Sequence, residues 1–251
     1  VSVTKVFNRG KPNEVVALED ISLTVGQRQF ISLIGPSGCG KSTLLRLMAG
    51  LLDPTAGEVT VNGKTAHQAR ADREYGIAFQ TAGLFDWRSV QQNIELPLQL
   101  MGWSKGDRRR RAGEMLTLVK LEEFGGHYPR ELSGGMQQRV AIARALSFEP
   151  SILFMDEPFG ALDEMTREHM QTELLRIWDE THTTVVFVTH SIPEAVFLSQ
   201  RVVVMSPRPG RLFAELPVEL GTRDFDTRES PDFFERVTAV REALRRPDGV
   251  E

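Results

Sequence analysis

The sequence predicts an α/β fold built on a mostly parallel sheet, and three features carry that expectation. Short, largely apolar runs rich in β-branched residues recur along the chain, at Phe30–Ile34, Ile152–Met155, Thr184–Thr189 and Arg201–Met205. Such runs fit strands buried on both faces, whereas a strand with one wet face alternates polar and apolar residues. Longer segments with helical spacing lie between them, and this alternation is the pattern of a parallel sheet covered on both sides. Finally, 251 residues at 41% hydrophobic and 25% charged suffice for one large domain, or one domain with a small appendage.

The elements follow in order. Val1–Phe7 and Val15–Val25 read as strands joined by a turn of Asn, Gly and Pro. Phe30–Ile34 ends at Gly35 and leads into a helix carrying Leu44, Leu45, Leu47, Met48 and Leu51, which stops before Pro54. Glu58–Val61 alternates and meets an Asn62-Gly63 turn, and Tyr75–Phe79 is a strand ending at Gln80. Ser104 is placed to cap a helix reaching about Lys120, with Asp107 in the position of an approximate capping box. Met136–Leu146 is a further helix, and Leu162 to about Glu180 a long one. The tail is rich in proline and charge and ends in a helix near Phe233–Arg245.

Composition narrows the function. No stretch approaches the ~18 apolar residues that cross a bilayer. No charged-then-apolar leader is present, so secretion is not expected. The first residue is Val1, so a few leading residues are expected to be missing. A net charge of −4 argues against a dedicated nucleic-acid binder. Cys39 is the single cysteine, which excludes an internal disulfide and a cysteine-based metal cluster. A role at a membrane therefore needs partners that carry the spans.

Gly35-Pro36-Ser37-Gly38-Cys39-Gly40-Lys41-Ser42 has the spacing of a phosphate-binding loop between a strand and an amphipathic helix. Gly38 and Gly40 permit backbone angles that turn N–H groups toward phosphate oxygens, and the helix adds its positive end. Lys41 then reaches the β- and γ-phosphates and Ser42 ligates Mg2+. Cys39 reads as a loop position that tolerates a small side chain. Asp156 and Glu157 end a buried-type strand, where charges are costly away from water. Beside a phosphate loop, Asp156 suits a metal held through water, and Glu157 suits a general base. His190 closes another apolar strand, where it would face the γ-phosphate; His67, His127, His169 and His182 are given no role. Arg108–Arg111 reads as a solvated helix face, with contact to anionic lipid headgroups the lesser alternative.

Ser133-Gly134-Gly135-Met136-Gln137 opens a helix with a capping serine and two glycines, a second anion-binding end that a second copy of the chain could supply. With this segment the chain resembles the ATP-binding subunits of ABC transporters, from Phe7 to about Leu212. The resemblance implies a P-loop NTPase core with a mostly parallel sheet, an antiparallel β subdomain and a small helical subdomain at about 85–145. The ATPase domain would span 1–215, and 216–251 would be a short tail with a helix. ATP and Mg2+ are the implied cofactors. Phe7 resembles the aromatic that stacks on adenine, although a strand Phe is equally often core. Gly35, Pro36, Ser37, Gly38, Cys39, Gly40, Lys41, Ser42 and Thr43 match the phosphate loop. Gln80 resembles the glutamine that senses the metal and links to the membrane subunits. Ser133, Gly134, Gly135, Met136 and Gln137 match the signature that contacts ATP across a dimer. Asp156 matches the metal-linked acid, Glu157 the base, and His190 the switch histidine. Gly160-Ala161-Leu162-Asp163 matches the loop that crosses between protomers.

Met136 in place of the commoner Gln, Trp87 after Gln80 and the run Asp156–Asp163 resemble the nitrate, sulfonate and taurine importer branch. Asp86 stands where that branch often has Pro, and Arg28-Gln29 replaces a usual Gly-Glu. The implied assembly pairs two cassettes, expected to be identical, head to tail. It sits at the cytoplasmic face of the inner membrane on a permease, served by a solute-binding protein. Phe85, Trp87, Leu96, Leu98 and Leu100 are expected either to touch the permease or to fill the helical subdomain's core. The alternatives are an exporter ATPase subunit and a soluble ABC ATPase. A scaffold is disfavoured by intact Lys41, Glu157 and His190, and a small-molecule kinase has no use for the signature.

Overall fold

A computed structural model describes residues 1–246. In chain order its elements are β1 (Val3–Phe7), β2 (Val15–Ile21), β3 (Phe30–Ile34), α1 (Lys41–Met48), β4 (Thr60–Val61), β5 (Lys64–Thr65) and α2 (Ala66–Ala71). There follow β6 (Tyr75–Phe79), α3 (Val90–Leu100), α4 (Lys105–Leu118), α5 (Gly134–Leu146), β7 (Ile152–Asp156) and α6 (Glu164–Thr181). Last come β8 (Thr184–Val188), α7 (Ile192–Leu198), β9 (Arg201–Met205), β10 (Leu212–Pro217) and α8 (Pro231–Arg245). The chain divides into two compact units, Val1–Glu74 with Thr184–Glu251, and Tyr75–Thr183.

In the first unit β3 lies between β8 and β9 and is parallel to both. Every residue of β3 and β8 is buried, as the apolar runs require. Beyond β9, β10 runs antiparallel, alternates in burial and ends at Pro217, the character of an edge strand. β1 and β2 pair antiparallel. The expected strand to Val25 stops at Ile21, because Val3 is the last partner β1 offers it. Glu58–Val61 shrinks to two residues that pair with β5. Positive φ at both Asn62 and Gly63 is the tight hairpin geometry that the dipeptide favours. Ser230 caps α8 by accepting from Phe233 N–H, so this helix starts two residues before the expected position. It buries Phe233, Val237, Val240 and Ala243, packing against α7, β9 and β10. Arg223 donates to the Leu198 and Ser199 carbonyls at 3.1 and 2.7 Å, holding the end of α7 where a cation suits the helix dipole.

In the second unit β6 and β7 are parallel, with Phe79 opposite Asp156 at their C-terminal ends. α3, α4 and α5 pack together, and α5 also covers β6. The approach is close: a Cβ on Gly76 would lie 2.2 Å from the Ala145 carbonyl oxygen. α3 has no counterpart among the sequence expectations, since Pro97 sits inside it. A capping box between Ser89 and Gln92 starts it. Ser104 does cap α4, accepting from Asp107 N–H at 3.2 Å and donating to the Asp107 carboxylate at 2.7 Å. The long helix begins at Glu164 rather than Leu162, because Asp163 is its cap. In the basic run Arg108 approaches Glu95 at 3.6 Å, and Arg111 donates to the Ser147 carbonyl and pairs with Glu114 and Glu149. Arg109 and Arg110 are exposed, so only half the run is a solvated face.

Gly76→Ala should lower unfolding stability by about 1–3 kcal/mol, the usual cost of overpacking. Chemical denaturation followed by circular dichroism measures it.

Candidate functional site

The C-terminal ends of β3 and β8 are neighbours, and the first group of expected residues gathers there. The chain leaves β3 at Gly35 and enters α1 at Lys41. Lys41 is buried, and its Nζ donates to the Gly35 and Pro36 carbonyls at 2.8 and 3.2 Å. An anionic phosphate oxygen is a stronger acceptor for an ammonium than either carbonyl. Gly40 is the N-cap of α1 at φ +104°, and no side chain caps this helix. The first donors of α1 thus lack the usual side-chain acceptor, as at helix starts that receive anions. A Cβ at Gly40 would meet Leu18 Cδ2 at 2.6 Å and the Ala17 carbonyl at 3.1 Å, so the position has neither the conformation nor the room for one. Cys39 is buried beneath the loop.

His190 follows β8 and is exposed. Its flanks are fixed: Ser191 N–H donates to Thr189 Oγ1 at 3.0 Å, and Thr189 Oγ1 donates to the buried Glu194 carboxylate. Phe7 ends β1 half-buried, with Lys5 Nζ 5.1 Å from its ring centre. It lies in the antiparallel pair, whose other strand carries Ala17 and Leu18 against Gly40.

A second group gathers where β6 and β7 end. Gln80 follows Phe79, and Glu157 follows Asp156, its register partner. Both acids are half-buried. Glu157 has φ 47°, an uncommon backbone for a residue with a side chain, and one that concentrates at functional positions. Gly160 N–H donates to the Glu157 carbonyl at 3.1 Å. The Gln80 amide rests against Gly160, with Nε2 3.0 Å from where a Cβ would stand. Asp163 accepts from Thr166 N–H at 3.0 Å, and that backbone bond holds its carboxyl below the usual carboxylate range. Arg167 donates to the Leu162 carbonyl at 2.8 Å, fixing the loop between Glu157 and α6.

Ser133 caps α5, accepting from Met136 N–H at 3.3 Å. Gly135 is buried against α6, where a Cβ would stand 2.9 Å from Thr166 Cγ2, so a side chain there would require Thr166 to give way. Gln137 Nε2 donates to the Pro129 and Leu132 carbonyls at 3.0 and 3.2 Å, so its amide steadies the preceding turn.

Three supporting residues lie outside the sequence expectations. Asn93, fully buried, accepts from Phe85 N–H at 2.8 Å and donates to the Phe85, Arg88 and Ser89 carbonyls, shaping the loop that displays Trp87. Arg144 donates to the Ala82 and Gly83 carbonyls at 2.8 and 2.7 Å, and burial pulls its guanidinium below the ordinary value. Gln138 donates to the carbonyls of Phe79, Gln80 and Pro158. Asn93 and Gln138 lie on the buried faces of helices that carry other polar residues too, so no pattern in the sequence singles them out. Among the expected contacts, Trp87 and Leu100 are 73% and 76% exposed, Phe85 and Leu96 are half-buried, and Leu98 is core.

Comparison with known proteins assigns the class. Residues 18–160 match the ABC transporter family, and the chain belongs to it as an ABC-type, nucleotide-binding ATPase. It is 48% identical over 236 residues to a taurine import ATP-binding protein of Rhizobium johnstonii, covering 92% of this chain and 89% of that one. It is 44% identical over 243 residues to a nitrate import ATP-binding protein of Synechocystis, covering 94% and 91%. A solved dimeric ATP-binding cassette, in a post-hydrolysis state with ADP and Pi, superposes with a TM-score of 0.74 at 35% identity, covering 88% of this chain and 98% of that one.

Gly40→Ala should weaken ATP binding at least about tenfold, since both its backbone angle and its Cβ are disallowed. Titration with trinitrophenyl-ATP measures it.

Proposed function

We propose that this chain binds and hydrolyses ATP as one of a head-to-tail pair, powering import of a small solute of the nitrate, sulfonate or taurine type through a membrane permease. The observation that carries the reading is the Ser133-Gly134-Gly135 start of α5, on a different compact unit from the loop between β3 and α1; we read it as a second helix start that meets phosphate. A cassette acting alone has no need of it, whereas in a pair each signature completes the site of the partner copy. The taurine and nitrate import relatives support the solute class, and the dimeric cassette supports the pairing.

The roles follow from chemistry. The loop Gly35–Thr43 and the start of α1 hold the phosphates, with Lys41 neutralising the β- and γ-oxygens. Phe7 stacks on the adenine. Ser133–Gln137 and Asp163 meet the nucleotide from the second copy. Glu157 accepts a proton from water as that water attacks the γ-phosphorus; the bond to the bridging oxygen breaks, releasing ADP and phosphate. His190 and Gln80 orient the γ-phosphate and the water. Among the described residues no group of three or more His, Cys, Asp or Glu can hold a metal. The donors fit Mg2+ held mainly by phosphate and water, with Ser42, Asp156 and Gln80 offering hard oxygens. When bound, Mg2+ supplies neutralisation of phosphate charge.

Among the described residues no helix is long and apolar enough to cross a membrane. In this reading, supported by the import relatives, the cassette is a peripheral subunit on the cytoplasmic face, docked through exposed Trp87 and Leu100 to a permease that receives solute from a binding protein. The ATPase domain spans 1–215, with the helical subdomain at about 85–145 and a tail from 216.

Glu157→Gln should keep ATP binding and lower turnover by roughly 10²–10⁴-fold, the loss of a general base. Phosphate release assays check it, and turnover within tenfold of wild type would remove Glu157 from the role. Ser133→Arg should abolish hydrolysis while monomers still bind ATP, read by nucleotide titration beside the same assay. Full activity there would refute the shared site.

A further inference from the structure

Gln138 occupies a position that packing alone does not explain. It lies on α5 at 4% exposure. Its Nε2 donates to the Phe79 carbonyl at 3.0 Å, to the Gln80 carbonyl at 3.1 Å, and to the Pro158 carbonyl. An amide nitrogen has only two hydrogens, so three acceptors share them. Its Oε1 is buried with no hydrogen-bond partner among the described residues. Buried acceptors are rarely left unpaired, and one that is needs a reason.

The three carbonyls supply that reason. Phe79 and Asp156 form the last register pair of β6 and β7. Past that pair the sheet's own ladder no longer fixes the two chains. There Gln80 leaves one strand and Glu157-Pro158 leaves the other. The Gln138 amide bridges these two exits, one carbonyl on each side of the gap and a third at the end of the ladder.

We propose that Gln138 is a positioning residue for hydrolysis, fixing the Glu157 carboxylate relative to Gln80 through the backbone carbonyls beside them. This rests on the reading of Glu157 as general base. The unpaired Oε1 is the cost of presenting both amide hydrogens to carbonyls. Misplacing a reacting group by about an ångström suffices to slow chemistry by roughly a hundredfold. The phosphate loop makes its own contacts, so nucleotide affinity does not depend on Gln138.

The test is a double-mutant cycle in the full chain. Gln138→Met keeps length and volume and removes both donors. Gln138→Asn keeps the amide but withdraws it by one methylene, and serves where the Met variant does not fold. Either should lower kcat by roughly 10–100-fold while trinitrophenyl-ATP affinity and KM change less than about threefold. In the Glu157→Gln background the same substitution should lower the residual rate less than about threefold, because the group it positions is gone. An equal fold loss in both backgrounds, a loss that follows nucleotide affinity, or an unchanged kcat overturns the proposal. The Glu157→Gln single variant reads the underlying assignment separately: a near-wild-type rate there removes the base itself, whatever Gln138 does.

Discussion

A parallel strand that feeds a helix must turn over the edge of its sheet, and between β3 and α1 this chain does so without giving the helix a side-chain cap. Gly40 stands at the N-cap in a left-handed conformation, pressed against Leu18 and the Ala17 carbonyl. The loop must therefore be glycine at that point, and the helix start must look to something else for its acceptors. Lys41 lies buried along the same loop with its ammonium on two backbone carbonyls. A phosphate oxygen would give the helix start an acceptor and the ammonium a stronger one than either carbonyl. His190 shares this edge of the sheet because β8 pairs with β3 in parallel and ends there too.

The second unit meets a different demand. Its candidate site residues stand on strand exits and loops, where no ladder holds them, and side-chain donors do the holding. Gln138, Asn93, Arg144 and Arg167 each donate to backbone carbonyls of the segments around Gln80, Trp87, Glu157 and Asp163. Such bonds fix a loop without closing it off, since the side chains at its tip stay exposed. The same logic places Trp87 outward: its loop is tied by Asn93, while its ring stays exposed.

Much of the core was legible because its strands are apolar throughout, and a buried parallel strand has few other readings. The turn from β3 into α1 and the acid pair at the end of β7 were legible as strand ends, because glycines and charges interrupt apolar runs there. Other parts were hidden for identifiable reasons. Pro97 disguises α3, whose packing tolerates the break. β10 alternates in burial but puts Phe213 on its exposed face, so its polarity does not alternate, and α7 is a helix of seven residues, too short to show a period. Asn93 and Gln138 act on backbone carbonyls contributed by distant sequence, so no local spacing announces them. Ending β2 at Ile21 depends on where its partner runs out, which is a property of the pair rather than of either strand.

The central claim is that each catalytic site is shared between two copies of the chain. Mixing Lys41→Ala protein with Ser133→Arg protein tests it directly. A mixed pair joins the sound phosphate loop of one variant to the sound signature of the other, so one complete site is rebuilt. The account predicts that the mixture hydrolyses ATP although neither variant does so alone. A mixture as silent as its components would contradict it and confine each site to a single chain.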